Sequence, residues 1–199
     1  MQTLTFDQTI LSRKKFHQQK KLIDNLIPEN IVISDPISAS INGEDQRYVI
    51  GYKDGTNIIP LYVKTPKNLH STGVSQYNCE NFSFTMGFDV EDHVEWCNTY
   101  CLLWTKMEEK MKTTFSKLPL SSSGYVNAKL KTRHKNQITT NFHQKQVPLD
   151  KACNATAILK LSSVYKQGNN YYPQVFVEEC KYKNKSPHYL LSPDASDQD

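Results

Sequence analysis

Glycine is scarce in this chain, seven residues in 199, and the scarcity removes several functions at once. A phosphate-cradling loop needs clustered glycines, and neither a P-loop nor a GxGxxG pattern occurs. GxSxG is absent and no cysteine has a protease-like context, so nucleophilic catalysis has no motif to rest on. Long apolar runs are missing too: nothing approaches the roughly 18 residues of a membrane span. The start, "MQTLTFDQTILSRKKFHQQKK", has no continuous apolar core of the signal-peptide kind, so an intracellular location is expected. Sequons at Asn81, Asn154 and Asn184 then carry no weight. The five cysteines form no CxxC pair, and reduced thiols are the expectation. Arginine is rare, 3 against 21 lysines, a bias that an AT-rich genome would also produce.

The positive charge that is present is unevenly placed. Residues 1–124 carry 13 Lys/Arg against 14 Asp/Glu, residues 125–185 carry 11 against 3, and residues 186–199 carry none against 3. An excess confined to one segment is the electrostatic footprint of a polyanion-binding face, although the wet side of any lysine-rich sheet would look similar.

The chain order reads as strands, one long helix, then strands. Residues 1–27 form a basic, Gln-rich segment for which a helix ending before Pro28 is expected. "IVIS", "RYVIGY", "TNIIPLYVKTP" and "FSFTMGF" are β-branched or aromatic runs separated by turn residues. Between about 89 and 117 the period changes. Val90, Val94, Cys97, Cys101, Trp104, Met111 and Phe115 mark one face of an amphipathic helix that Asp89 can cap. After Pro119 and "SSSG", "YVNAKLKTR" alternates, with Lys129, Lys131 and Arg133 on one face. "QITTNF" is a shorter strand, and "ATAILKLSSVY" and "QVFVEECKYK" make a hairpin through a Gly-Asn turn. The fold class predicted is α+β: an antiparallel sheet or OB-like, partly open barrel crossed by one long helix. Residues 28–185 are taken as one domain, and residues 186–199 as an acidic disordered tail.

Three chemistries compete for the late hairpin. Glu179-Cys180-Lys181 spells the E-x-K of Mg²⁺-dependent nucleases, in which a carboxylate and a lysine two residues apart share a strand face. Such a site needs a second acid, yet Ala155 to Tyr165 contains none and the nearest upstream is Asp150. A metal site at His93, Cys97 and Cys101 is disfavoured because its ends lie some 12 Å apart along a helix, and small thiols in an apolar stripe are ordinary core residues. No metal and no cofactor are therefore expected. The second chemistry is single-strand binding, in which lysines neutralise phosphates while aromatic faces stack on bases. Strict alternation puts Tyr172, Phe176 and Tyr182 on one face of the last strand and Lys181 and Lys183 on the other, so only one set could face outward. The third reading is a non-enzymatic structural or adaptor sheet.

"IPLYVKTPKN…STGVSQYN", the helix "WCNTYCLLWTKMEEKM", "YVNAKLK" and "PQVFVEECKY" together resemble, over roughly residues 58–183, the single-stranded DNA-binding proteins of large DNA viruses and related virus-like elements. The resemblance implies an OB-like protein without enzymatic activity that coats single strands during replication, in the nucleus or cytoplasm of a host cell. Expected partners are single-stranded nucleic acid, replication proteins and further copies of the chain, with no membrane. Lys64, Lys67, Lys129, Lys131, Arg133, Lys181 and Lys183 are expected at phosphates, and Tyr172 and Tyr182 are expected to stack on bases.

Overall fold

A computed structural model of the chain describes residues 26–40, 43–78, 81–133, 137–143 and 152–184. Its spine is the late hairpin. β11 (Cys153–Gln167) and β12 (Asn170–Asn184) pair along their whole length, from Cys153 opposite Asn184 to Gln167 opposite Asn170. The two-residue connection is Gly168-Asn169, with Gly168 at φ 56° as a hairpin turn of this kind requires. Inward positions on β11 are small or branched, Ala155, Ala157, Leu159 and Leu161, and all four are buried.

The other edge of β11 is shared by three strands in turn. β5 (Leu69–Asn78) pairs with residues 153–155, β4 (Asn57–Lys64) with 158–161, and β3 (Gln46–Asp54) with 163–166. β1 (Ile31–Ile33) and β2 (Ile37–Ser38) add to β3. β6 (Asn81–Gly87) follows β5, and β7 (Tyr125–Leu130) follows β6, all antiparallel. β7 then meets β12 in parallel through Phe176 opposite Lys129 and Val177 opposite Leu130. The path β11–β5–β6–β7–β12 thus returns to its start as a partly closed ring of strands, not a regular barrel. β8 (Thr132–Arg133) and β9 (Gln137–Ile138) form a separate two-stranded piece. β10 (Asn141–Phe142) lies parallel to β12. Of the expected antiparallel sheet or partly open barrel with one long helix, the partly closed ring and the helix are present, while the sheet is mixed because β7 and β10 both approach β12 running in its own direction.

The helix α1 (Val94–Met111) is shorter than the 89–117 expected. Asp89 caps the turn that leads into it, its Oδ1 accepting the backbone N–H groups of Glu91 at 3.0 Å and Asp92 at 3.4 Å. The buried face is Cys97, Tyr100, Leu103, Trp104 and Met107. Val90, Val94 and Cys101, expected inside, are exposed: Val90 precedes the helix, and the buried stripe keeps Cys97 and Trp104 but is completed by Tyr100, Leu103 and Met107. The rings of Phe88, Trp96 and Tyr100 stack at 4.4 and 4.7 Å, and Tyr100, Trp104 and Phe115 continue the ladder edge to face at 6.0 Å each. Of the N-terminal helix expected over 1–27, only Leu26 and Ile27 fall within the described residues. Ile27 is extended there, ahead of a single 3₁₀ turn at Pro28–Asn30. The acidic tail 186–199 lies outside the described residues.

One glycine holds the joint after the helix. Gly124 has φ +74°, its carbonyl accepts the Phe88 N–H at 2.7 Å, and a Cβ there would sit 2.6 Å from the Phe88 carbonyl oxygen. Gly124→Ala is expected to cost about 3 kcal/mol through the left-handed backbone and the clash together. A melting temperature within a degree or two of the wild type would show that the joint adapts.

Candidate nucleic-acid interface

The outward face of the hairpin carries the candidate site, and a β-bulge decides what lies on it. Ile158 pairs with Glu179 but the next residue, Leu159, pairs with Val177, so one residue of β12 is extra at Glu178. A single inserted residue reverses the alternation on the far side of it. Inward positions run Val175, Val177, then Cys180 and Tyr182. Phe176 on one side of the bulge and Lys181 and Lys183 on the other consequently face the same way. The either-or set by strict alternation is corrected: Phe176 joins the lysines, and Tyr182 turns inward.

At the open end of the hairpin, on the Lys181 and Lys183 side of the bulge, lies a cleft of about 570 Å³. Lys181 and Lys183 come from β12, Asn154, Thr156 and Ile158 from β11, Lys64 from the end of β4 and Lys67 from the following turn. β4 and β5 are nearly one strand along β11, interrupted by Thr65 to Asn68. The Thr65 N–H donates to the Ala157 carbonyl at 2.9 Å, and the Asn68 N–H to Thr156 Oγ1 at 3.1 Å. Asn68 takes a left-handed φ of 58° in the turn that carries Lys67, whose exposed side chain lines the cleft. The Lys64 end is tied to the helix, Trp96 Nε1 donating to its carbonyl at 2.8 Å. All four lysines are exposed, and none has a carboxylate partner among the described residues. Among the described residues the only carboxylate lining the cleft is Glu179, whose Oε2 is 3.4 Å from His143 Nε2.

Further along the same face the charges are partly engaged. Lys131 makes an ion pair with Glu178. Lys129 is half-buried and burial holds its ammonium below the ordinary lysine range; Lys160 is shifted the same way, first by burial and then by the nearby Lys131. Tyr62, opposite Lys160 on β4, is pushed up to about 12 by burial and then by the charges of Glu178 and Glu179.

The expected site residues separate accordingly. Lys64, Lys67, Lys181 and Lys183 come together. Lys129 and Lys131 share the face but lie beyond the bulge, and Lys131 is already neutralised. Arg133 belongs to the separate β8–β9 pair, opposite Gln137. Tyr182 is 4% exposed with its ring edge-on to Phe142 at 6.0 Å, so it has no ring face to offer a base and is corrected to a core residue. Tyr172 is opposite Tyr165 at the turn end of the hairpin, some 30 Å from Lys181 by strand rise, and so is not part of the cleft. Asn154, Thr156 and His143 were missed; the alternation of "NATAILKL" signals the first two, while nothing in the sequence signals His143.

The nuclease constellation is not assembled among the described residues. The paired carboxylates diverge at the bulge, Glu178 to Lys131 and Glu179 to His143, and Asp150 lies outside the described residues. No group of three or more His, Cys, Asp or Glu among the described residues could hold a metal ion, and none of the described helices is long and apolar enough to cross a membrane. Comparison with known proteins returns no match, neither to a family model nor to a curated sequence.

Proposed function

We propose that the protein binds single-stranded nucleic acid without regard to sequence, holding the phosphate backbone in the lysine cleft. The observation that carries this reading is the convergence of Lys64, Lys67, Lys181 and Lys183, four exposed ammonium groups without carboxylate partners among the described residues, around one hairpin end. Like charges gathered in one cleft raise the local positive potential and draw a polyanion to it. A ligand with charges spaced along a flexible chain suits a cleft whose cations come from two separate strands and a turn. The cleft opens on the outward face of the β11–β12 hairpin, a surface long enough for a strand to cross, and coating of single strands during intracellular replication is the role this reading implies. Replication proteins and further copies of the chain would then be its neighbours on the strand.

Fluorescence anisotropy with labelled oligo-dT is the direct test. Binding at low salt that weakens linearly in log affinity against log salt is expected. No binding at low salt discards the reading. Incubation of the same oligonucleotide with Mg²⁺ or Mn²⁺ is expected to leave it intact, and cleavage lost in Glu179→Ala would favour the nuclease alternative instead.

A further inference from the structure

Beyond the cleft, the same face carries an aromatic ring in an unusual setting. Phe176 is partly exposed and is not among the apolar residues packed on the core. It has no ring partner among the described residues, whereas eight other ring pairs involve Tyr48, Phe84, Phe88, His93, Trp96, Tyr100, Trp104, Phe115, Phe142, Tyr171 and Tyr182. Its register neighbours are lysines on both sides, Lys160 across the β11 pairing and Lys129 across the parallel β7 pairing. Residues in register on adjacent strands share a face about 5 Å apart, so the row Lys160, Phe176, Lys129 spans roughly 10 Å. Lys181 stands opposite Thr156, four residues along β11 from Lys160, which places the cleft about 13 Å away on the same surface.

We infer that Phe176 is a base-stacking subsite: an unstacked nucleobase of the strand held in the cleft lies on its ring, while Lys129 and Lys160 meet the phosphates on either side. The chemistry is that of a planar π-system with cations at its flanks, which accepts any base and rejects none. The bulge at Glu178 is what makes the subsite usable, since without it the ring and the cleft lysines would be on opposite faces of the strand. The inference rests on the single-strand reading above and adds to it that bases, not only charge, contribute to affinity.

The test compares oligo-dT with an abasic oligonucleotide of the same length and charge, for the wild type, Phe176→Ala and Phe176→Leu. Wild type is expected to bind dT roughly 5- to 100-fold more tightly than the abasic strand, the range for one or so stacked bases. Phe176→Ala should lose most of that difference while binding the abasic strand like wild type, and Phe176→Leu, which keeps apolar bulk but no π-face, should behave as the alanine variant does. Equal binding of dT and abasic strands by wild type overturns the subsite and leaves the cleft reading standing. Equal weakening on both strands in Phe176→Ala also overturns it, as does retention of the full dT preference. Absence of binding to either strand at low salt overturns both.

Discussion

Replacing Lys64, Lys67, Lys181 and Lys183 together by Gln is expected to abolish most of the salt-dependent affinity for oligo-dT. Each lysine–phosphate contact contributes about 0.7 to the slope of log affinity against log salt for a single strand, so four contacts contribute roughly 3. Between 50 and 200 mM salt that amounts to about a 50-fold loss for the wild type, and the quadruple variant should lack it. The fold should survive, because all four side chains are exposed and the cleft backbone is held by Thr65, Asn68 and Trp96. A control with three exposed lysines changed outside the cleft, Lys53, Lys112 and Lys117, removes a comparable charge. If the control loses as much slope as the cleft variant, net charge and not the cleft accounts for binding.

Raising the pH above 9 is expected to unfold the protein well before its exposed groups finish titrating. Burial raises the Cys180 thiol from its ordinary 9.0 to about 12, with Cys153 close by adding to the shift. Tyr62 moves from 10.0 to about 12, and Tyr100, buried under the Trp104 ring, is raised further in the same direction. In each case the unfolded chain releases its proton first while the folded form keeps it. Stability is therefore intact below pH 9, falls between 9 and 12, and is lost as the pH passes the folded values. Cys180 alone corresponds to about 4 kcal/mol and Tyr62 to about 3 kcal/mol, a large part of the 5–15 kcal/mol typical of a domain. Lys129 and Lys160 act the other way, because neutralising them relieves their desolvation as the pH approaches 10.5. The phenols and the thiol are the larger effect, since Cys180, Tyr100 and Tyr62 are buried whereas Lys129 and Lys160 are partly exposed. Urea midpoints at pH 8, 10 and 11 measure the slope, and a midpoint unchanged at pH 11 would mean these groups are accessible to solvent. Cys180→Ala should flatten the first part of the decline, between pH 9 and 10.

How the chain reads locally and how it folds globally part company at identifiable residues. The long helix was legible because Cys97, Trp104 and Met111 recur at helical spacing, and the Gly168-Asn169 hairpin because strand patterns flank a turn dipeptide. β5 was not legible: "LHSTGVSQYN" has no apolar alternation, and it is a strand because β6 on one edge and β11 on the other supply its hydrogen bonds. The parallel approach of β7 to β12 was equally hidden, since the connection between them is long and nothing in either strand states its neighbour's direction.

The sequence by itself determined where positive charge accumulates, that one long helix separates two sets of strands, and which side chains the clearly alternating strands can bury. The tertiary structure alone decided which lysines meet. Lys64 and Lys67 reach Lys181 and Lys183 because Thr65 and Ala157, 92 residues apart, exchange hydrogen bonds along the edge of β11. It also decided the face of Phe176. Alternation is a local rule that holds between neighbours, whereas a bulge is set by the register of two whole strands. One extra residue at Glu178 is enough to turn Tyr182 inward and bring Phe176 onto the lysine face.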